Sequence, residues 1–403
     1  MINLENPKKF QGLVNMTRQV SEQMFRPISR KYDRAEHVYP KELDALRAVL
    51  EGMNEGDPGG GVSASGGRGN KVREGNVNGG NVSTVLSVAE ACWGDTSFVL
   101  TMPGQGLGNA AIAAVADDEQ LARFGDKWAS MAITEPHFGS DSAAVQTTAI
   151  LDEEAGEYVL NGTKIFVTSG ERCDVVVVWA SVDPSKGRAA IKSFIVPRDN
   201  PGLELVRLEH KLGIRGSDTA QFALTDCRIP KENLLGSPEV DAKKSFAGVM
   251  QTFDNTRPMV AAMAVGVAKA ALERTFELFR EAGLEVDYDR PAHLQTGAAA
   301  ELLRLESDYE AFRLLTLEAA WMADNRKPNS VNASMAKAKA GRGATEIALK
   351  CVELVGPLGY SEDELLEKWA RDAKILDIFE GTQQIQLLII ARNLLGKSSA
   401  ELK

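Results

Sequence analysis

The apolar pattern of this chain changes period twice, near residues 126 and 240, and that limits the folds open to it more than any other feature. Before the first change, "RPISRKYDRAEHVYPKELDALRAVLEGM" (26–53) and "NVSTVLSVAEACWGDTSFVL" (81–100) repeat apolar residues at three- and four-residue spacing. That spacing predicts helices with one buried face. Between the changes, "CDVVVVWASV" (173–182), "KSFIVPR" (192–198) and "AQFALTDCRIP" (220–230) are β-branched and aromatic, with turn residues between them. These runs read as strands. Within "EYVLNGTKIFVTSG" (157–170), Asn161-Gly162 predicts a hairpin turn joining two strands. After the second change, four long amphipathic segments predict an antiparallel bundle. The expected architecture is α+β: an N-terminal helical domain over 1–125, a β-barrel-like domain over 126–238, and a C-terminal four-helix bundle over 239–403.

Composition removes several classes of function. At 403 residues the chain exceeds a single ordinary core. A net charge of −10 argues against a nucleic-acid binder, which needs a basic face. Cys92, Cys173, Cys227 and Cys351 form no CxxC pair and read as reduced thiols, and the scattered histidines show no metal-ligand spacing. The N-terminal residues lack the apolar core of a signal peptide, and no apolar run is long enough to span a membrane. A soluble, cytoplasmic protein is the expectation. Residues 56–80 hold ten glycines, too many to order cheaply, and predict a flexible loop or lid.

Five segments carry the functional reading. They are "MAITEPHFGSD" (131–141), "NGTKIFVTSG" (161–170), "KLGIRGSDTAQFALTDCRIPKENLLG" (211–236), "FDNTRP" (253–258) and "ARDAKILDIFEGTQQIQLLIIAR" (370–392). In this order, on a helix–β–helix layout, the chain resembles the acyl-CoA dehydrogenase family over roughly residues 10 to 396. The resemblance implies a flavoprotein with non-covalent FAD. It implies oxidation of an acyl-CoA thioester to the trans-2-enoyl-CoA, with electrons passed to electron-transfer flavoprotein. Some members resemble it further as actinobacterial enzymes of lipid and sterol breakdown.

Glu380 resembles the family's catalytic base. Such a base must be dry enough to take an α-proton, because burial disfavours the charged carboxylate and raises its pKa. Taken alone, Glu380 reads better as a glutamate in a helix N-terminal turn, where it favours the helix dipole. Some family members carry the base on the preceding helix, at the position held here by Thr256. In the flavin loop, the resemblance assigns Met131, Ile133 and Thr134 to the isoalloxazine edge, with Gly139 and Ser140 beside them. Ser140 is also assigned to the CoA side. Phe166 stands where the family often has tryptophan, Thr168 lies by the reactive flavin nitrogen, and Thr382 and Gln384 reach other parts of FAD. Asp254, Arg257 and Gly381 complete the substrate set. Without the resemblance, the loop reads as a turn between strands and the Asp254/Arg257 pair as a surface ion pair.

Two motifs depart from the family pattern. The stretch that should lend an arginine and a glutamine to a neighbouring subunit's FAD reads "FREAGLEVDYDRPAHLQ", leaving Arg280 and Gln295 at the wrong spacing. A second neighbour-facing motif reads "ELVGPLG", with Glu353 replacing glutamine and Pro357 replacing glycine. Two assemblies follow: a homotetramer with rewired contacts, or an α2β2 heterotetramer whose other chain supplies what is missing. Competing activities are an acyl-CoA oxidase and a catalytically silent assembly subunit.

Overall fold

The computed structural model describes residues 6–46, 76–103, 106–240, 247–398 and 401, and for 247–255 the helical backbone alone. Among them lie eight strands: β1 (Ala129–Ala132), β2 (Thr148–Asp152), β3 (Glu157–Thr168), β4 (Val175–Ser181), β5 (Ile191–Pro197), β6 (Leu203–Leu208), β7 (Thr219–Pro230) and β8 (Leu234–Leu235). They form one mixed sheet in the order β6-β7-β3-β2-β4-β5-β8, with β1 parallel to β4. Strand β4, "VVVVWAS", is buried along its whole length, as expected for an unbroken β-branched run. Alternate residues face opposite sides. Val176 and Val178 enter one core with Phe194 and Phe222; Val175 and Val177 enter another with Ala111, Ile112 and Phe124. Phe222 of β7 and Phe194 of β5 are four strands apart yet share a core, and the Tyr158 and Phe194 rings meet at 5.0 Å. The sheet is therefore strongly curled.

The expected hairpin at Asn161-Gly162 is absent. Strand β3 runs continuously through it, and the irregularity is a bulge against β7. Gly162 is required for close approach: a Cβ there would lie 2.8 Å from the Thr147 Cα. Asn161 accepts a hydrogen bond from the Asp226 amide instead of turning the chain. A second bulge falls between Lys164 and Val167, where Phe166 adopts φ +56°.

Before the sheet come helices α1 (Gln11–Val20), α2 (Arg26–Arg34), α3 (Gly80–Gly94), α4 (Thr96–Leu100), α5 (Leu107–Val115) and α6 (Asp118–Phe124). After it come α7 (Ala247–Glu281), α8 (Gly297–Asp324), α9 (Ser330–Val355), α10 (Pro357–Tyr360), α11 (Leu366–Ala373) and α12 (Gln383–Leu395). Small residues bring the long helices close. On α9, Ala336, Ala340, Ala344 and Ala348 are all buried at four-residue spacing, and a Cβ on Gly266 of α7 would strike the carbonyl of Ala89 on α3. Helices α3, α7, α8, α9 and α11 thus share one core. The predicted glycine-rich loop falls outside the described residues up to position 75. Its end is anchored, because the Asp324 carboxylate accepts from the amides of Gly79, Asn81 and Val82 at the start of α3.

Candidate active site

The chain leaves α11 through a short 3-10 turn, Lys374–Asp377, and then reverses before α12. Two consecutive residues make that reversal with positive φ: Glu380 at +55° and Gly381 at +93°. A left-handed conformation costs a non-glycine residue about 1–2 kcal/mol, so the surroundings must hold Glu380 there. Three hydrogen bonds do so. Gln386 Nε2 donates to the carbonyls of Glu380 (3.1 Å) and Gly381 (3.2 Å), and Lys337 Nζ donates to Gly381 at 2.6 Å. Gly381 cannot be replaced freely, since a Cβ would run into Gln386 Nε2. Thr382 then caps α12, its hydroxyl accepting from the Ile385 amide.

The carboxylate of Glu380 accepts from the Thr256 hydroxyl of α7 at 2.9 Å. Thr256, Arg257 and Lys337 are all buried around it. Burial raises the Glu380 pKa above the ordinary carboxylate value; the Thr256 hydrogen bond and the charges of Arg257 and Lys337 oppose that rise. Burial pushes the Lys337 ammonium down to about 8, against the pull of Asp377 and Glu380. The site is thus a half-buried carboxylate of raised basicity, facing two cations and one hydroxyl. Such a group can take a proton from carbon and stabilise little else.

A second cluster forms on the sheet. Met131 and Ile133 are half-buried at the end of β1, and Thr134 follows them. The Thr134 carbonyl accepts from the Ile165 amide at 2.9 Å, and Ser130 Oγ donates to the Thr168 carbonyl at 2.8 Å, so β1 and the bulged end of β3 are locked side by side. Gly139 returns beside the Thr134 methyl group, while Ser140 stays exposed. The loop is anchored from below by Lys164. Its buried ammonium donates to Glu135 Oε1 (2.8 Å) and to the Ile133 carbonyl (3.2 Å), and Glu135 in turn accepts from the amides of Gln146 and Thr147. Above this base the Phe166 ring is 59% exposed on the bulge. Next to the Ile165–Thr134 backbone pairing, this uncovered aromatic face fits a flat heterocycle, and a flavin meets that description.

The structure therefore gathers Met131, Ile133, Thr134, Gly139, Phe166 and Thr168 in one place. It gathers Glu380, Gly381, Thr382 and Arg257 in another. Among the described residues no hydrogen bond joins the two clusters. Gln384 points to solvent on the exposed side of α12. The side chain of Asp254 lies outside the described residues. Lys164, Glu135, Lys337, Gln386 and the hydrogen bond from Thr256 were not singled out by sequence reading. A cavity of about 600 Å³ lies elsewhere, between α1, α3, α7 and α8. Of its charged lining residues, Glu90 pairs with Lys269, and Glu90 and Glu273 both pair with Arg18 outside the lining.

The residues expected to face a neighbouring subunit are otherwise engaged. Gln295 closes its own loop, donating to the carbonyls of Asp287 (2.7 Å) and Arg290 (2.8 Å). Glu353 is exposed and pairs with Lys350 at 2.5 Å. Gly356 ends α9 at φ +71°, and Pro357 opens α10. All four cysteines are buried and free, and no described helix is long and apolar enough to cross a membrane.

Comparisons with known proteins agree with this layout. The pattern described as "Acyl-CoA dehydrogenase, middle domain" matches residues 130–227, and "Acyl-CoA dehydrogenase, C-terminal domain" matches 246–395. The chain is 33% identical over 397 residues to an acryloyl-CoA reductase (NADH) of Anaerotignum propionicum, covering 96% of this chain and 94% of the relative. It is 40% identical over 271 residues to the mitochondrial short-chain specific acyl-CoA dehydrogenase of Mus musculus, covering 67% of this chain and 64% of the relative. The solved butyryl-CoA dehydrogenase of Megasphaera elsdenii superposes with a TM-score of 0.83 at 30% identity, over 98% of this chain and 100% of that one. With an α+β fold, two matched domain patterns and end-to-end similarity, this chain belongs to the acyl-CoA dehydrogenase family of flavoprotein oxidoreductases.

Proposed function

We propose that this protein dehydrogenates an acyl-CoA thioester across its α and β carbons, with Glu380 as the base. The observation that carries this reading is the half-buried Glu380 carboxylate, held on a strained turn with raised basicity and contacted by Thr256. Glu380 takes the α-proton onto a carboxylate oxygen. The C–H electron pair becomes the new C=C bond, and the β-hydrogen leaves as hydride. Bound FAD would supply the hydride acceptor, and the electrons would go on to electron-transfer flavoprotein. Met131, Ile133, Thr134, Gly139, Ser140, Phe166 and Thr168 would hold the flavin, and Thr382 and Gln384 the remainder of the cofactor. Arg257, with Asp254, Ser140 and Gly381, would orient the thioester and CoA. The acrylyl, butyryl and short-chain names of the relatives favour a small acyl group.

Assembly belongs to the same proposal. Leu387, Leu388, Leu394 and Leu395 form an exposed apolar stripe on α12, one turn-pair apart, suited to a subunit interface. The self-engaged Gln295 and the Lys350-paired Glu353 favour an α2β2 arrangement over a homotetramer built on the usual reciprocal contacts. The test is the visible spectrum and native mass of the chain purified alone. A flavin band in a homo-oligomer, bleached by a short acyl-CoA under argon, supports a self-sufficient dehydrogenase. A colourless chain that acquires FAD only with a second gene product supports the shared site. A flavin-loaded protein that no acyl-CoA reduces, alone or with a partner, overturns the proposal.

A further inference from the structure

Lys337 is 1% exposed, and its Nζ donates to the carbonyl of Gly381. A neutral donor would satisfy that carbonyl equally well. Gln386, fully buried, already does so from the other side while also holding the Glu380 carbonyl. Burying an ammonium without a close counter-ion costs several kcal/mol, so a positive charge here needs a reason beyond holding a turn. Among the described residues no carboxylate lies within ion-pair distance of Lys337. The charged groups that face it are Asp377, Glu380 and, from α7, Arg257. Asp377 is already paired with Lys374 (3.1 Å) and Arg342 (3.5 Å). The other carboxylate facing Lys337 is that of Glu380, whose hydrogen-bond partner among the described residues is the Thr256 hydroxyl.

We infer that Lys337 is a positioning residue for the reaction: it fixes the left-handed Glu380-Gly381 turn through the Gly381 carbonyl and, by its charge, keeps the Glu380 carboxylate ionised before proton transfer. This rests on Glu380 being the base. Gln386 shares the first task and has no part in the second. The positive end of the arrangement comes from α9 and the base from the turn before α12. Helix α9 therefore contributes to catalysis without touching substrate.

The test uses the flavin-loaded enzyme, with its partner chain if one is needed, and reads the rate of flavin reduction by a short acyl-CoA across pH. Lys337→Gln keeps length and a donor but removes the charge. It should retain flavin and change KM by about twofold or less. Its acidic limb should move to higher pH by about one unit, because losing a nearby opposite charge raises a carboxylate's pKa. Lys337→Arg should restore the limb. Gln386→Met loosens the same turn and leaves the charge; it should slow reduction at every pH with the limb in place. An unmoved limb in Lys337→Gln overturns the inference. So does an equal displacement in Gln386→Met, which remains measurable if Lys337→Gln fails to fold. Glu380→Gln is the control. If it still reduces flavin, the base assignment falls; if it is inert while the Lys337→Gln limb stays put, the role of Lys337 alone falls.

Discussion

Lys368 and Lys337 are both buried lysines in the C-terminal helices, and they are handled in opposite ways. Lys368 on α11 sits between Asp95 (2.9 Å) and Asp372 (2.5 Å), all three nearly inaccessible. Asp95 also accepts from Ser29 Oγ and the Ser97 amide, and Asp372 accepts from the Ile214 amide. Against the opposing effect of burial, the two carboxylates hold the Lys368 ammonium above its ordinary pKa. This cluster ties α2, α4, the loop after β6 and α11 together, and its hydrogen-bonding capacity is well used. Around Glu380, among the described residues, no cation closes an ion pair on the carboxylate, and the Thr256 hydroxyl is its hydrogen-bond partner. A charge meant only to hold the fold is paired. The charge we propose as the proton acceptor is left available. The difference between the two regions separates structure from chemistry inside one continuous helical core.

The comparison breaks first at Lys368. Lys368→Met leaves Asp95 and Asp372 buried without their cation, and stability should fall by about 3–5 kcal/mol in denaturant titrations. Turnover per folded, flavin-loaded molecule should stay near wild type. A stable Lys368→Met protein would show that the paired cluster does not anchor the fold. On the other side, Arg257→Ala should raise KM for acyl-CoA by about tenfold and lower kcat less, as steady-state kinetics would show. An unchanged KM would move Arg257 from the substrate to the base. The smallest effect belongs to Thr256→Val. The hydroxyl favours ionised Glu380, so its removal raises the pKa further. The acidic limb of kcat should then shift upward by about one unit or less. A limb shifted to lower pH would mean that Thr256 opposes the ionised base.

Much of this was legible from residue order. The two changes of apolar period locate the sheet and the helices, because burial of alternate residues and burial of every third or fourth residue leave different traces. Glu380 was legible as a candidate base because its motif travels with four others. The neighbours that tune it were not. In "SMAKAKAGRG", Lys337 and Lys339 look alike; only packing buries the first and leaves the second exposed beside Asp308. In "GTQQIQ", Gln384 and Gln386 also look alike, yet the phase of α12 leaves Gln384 exposed and buries Gln386 against the Glu380-Gly381 turn. Asn161-Gly162 misled for a related reason. A glycine needed for close approach to Thr147 carries the same letter as one needed for a turn. Local pattern gives periodicity, and it cannot give which member of a repeated pair faces the site.

The central claim is that Glu380 is left open to take a proton from substrate. The most direct measurement is anaerobic mixing of the flavin-loaded protein with a short acyl-CoA, following the flavin absorbance, in wild type and in Glu380→Gln. The account predicts rapid bleaching in wild type. In the variant, the acyl-CoA should perturb the flavin spectrum as it binds, with reduction slowed at least ~100-fold. Bleaching of the variant at a wild-type rate would contradict it and place the base elsewhere.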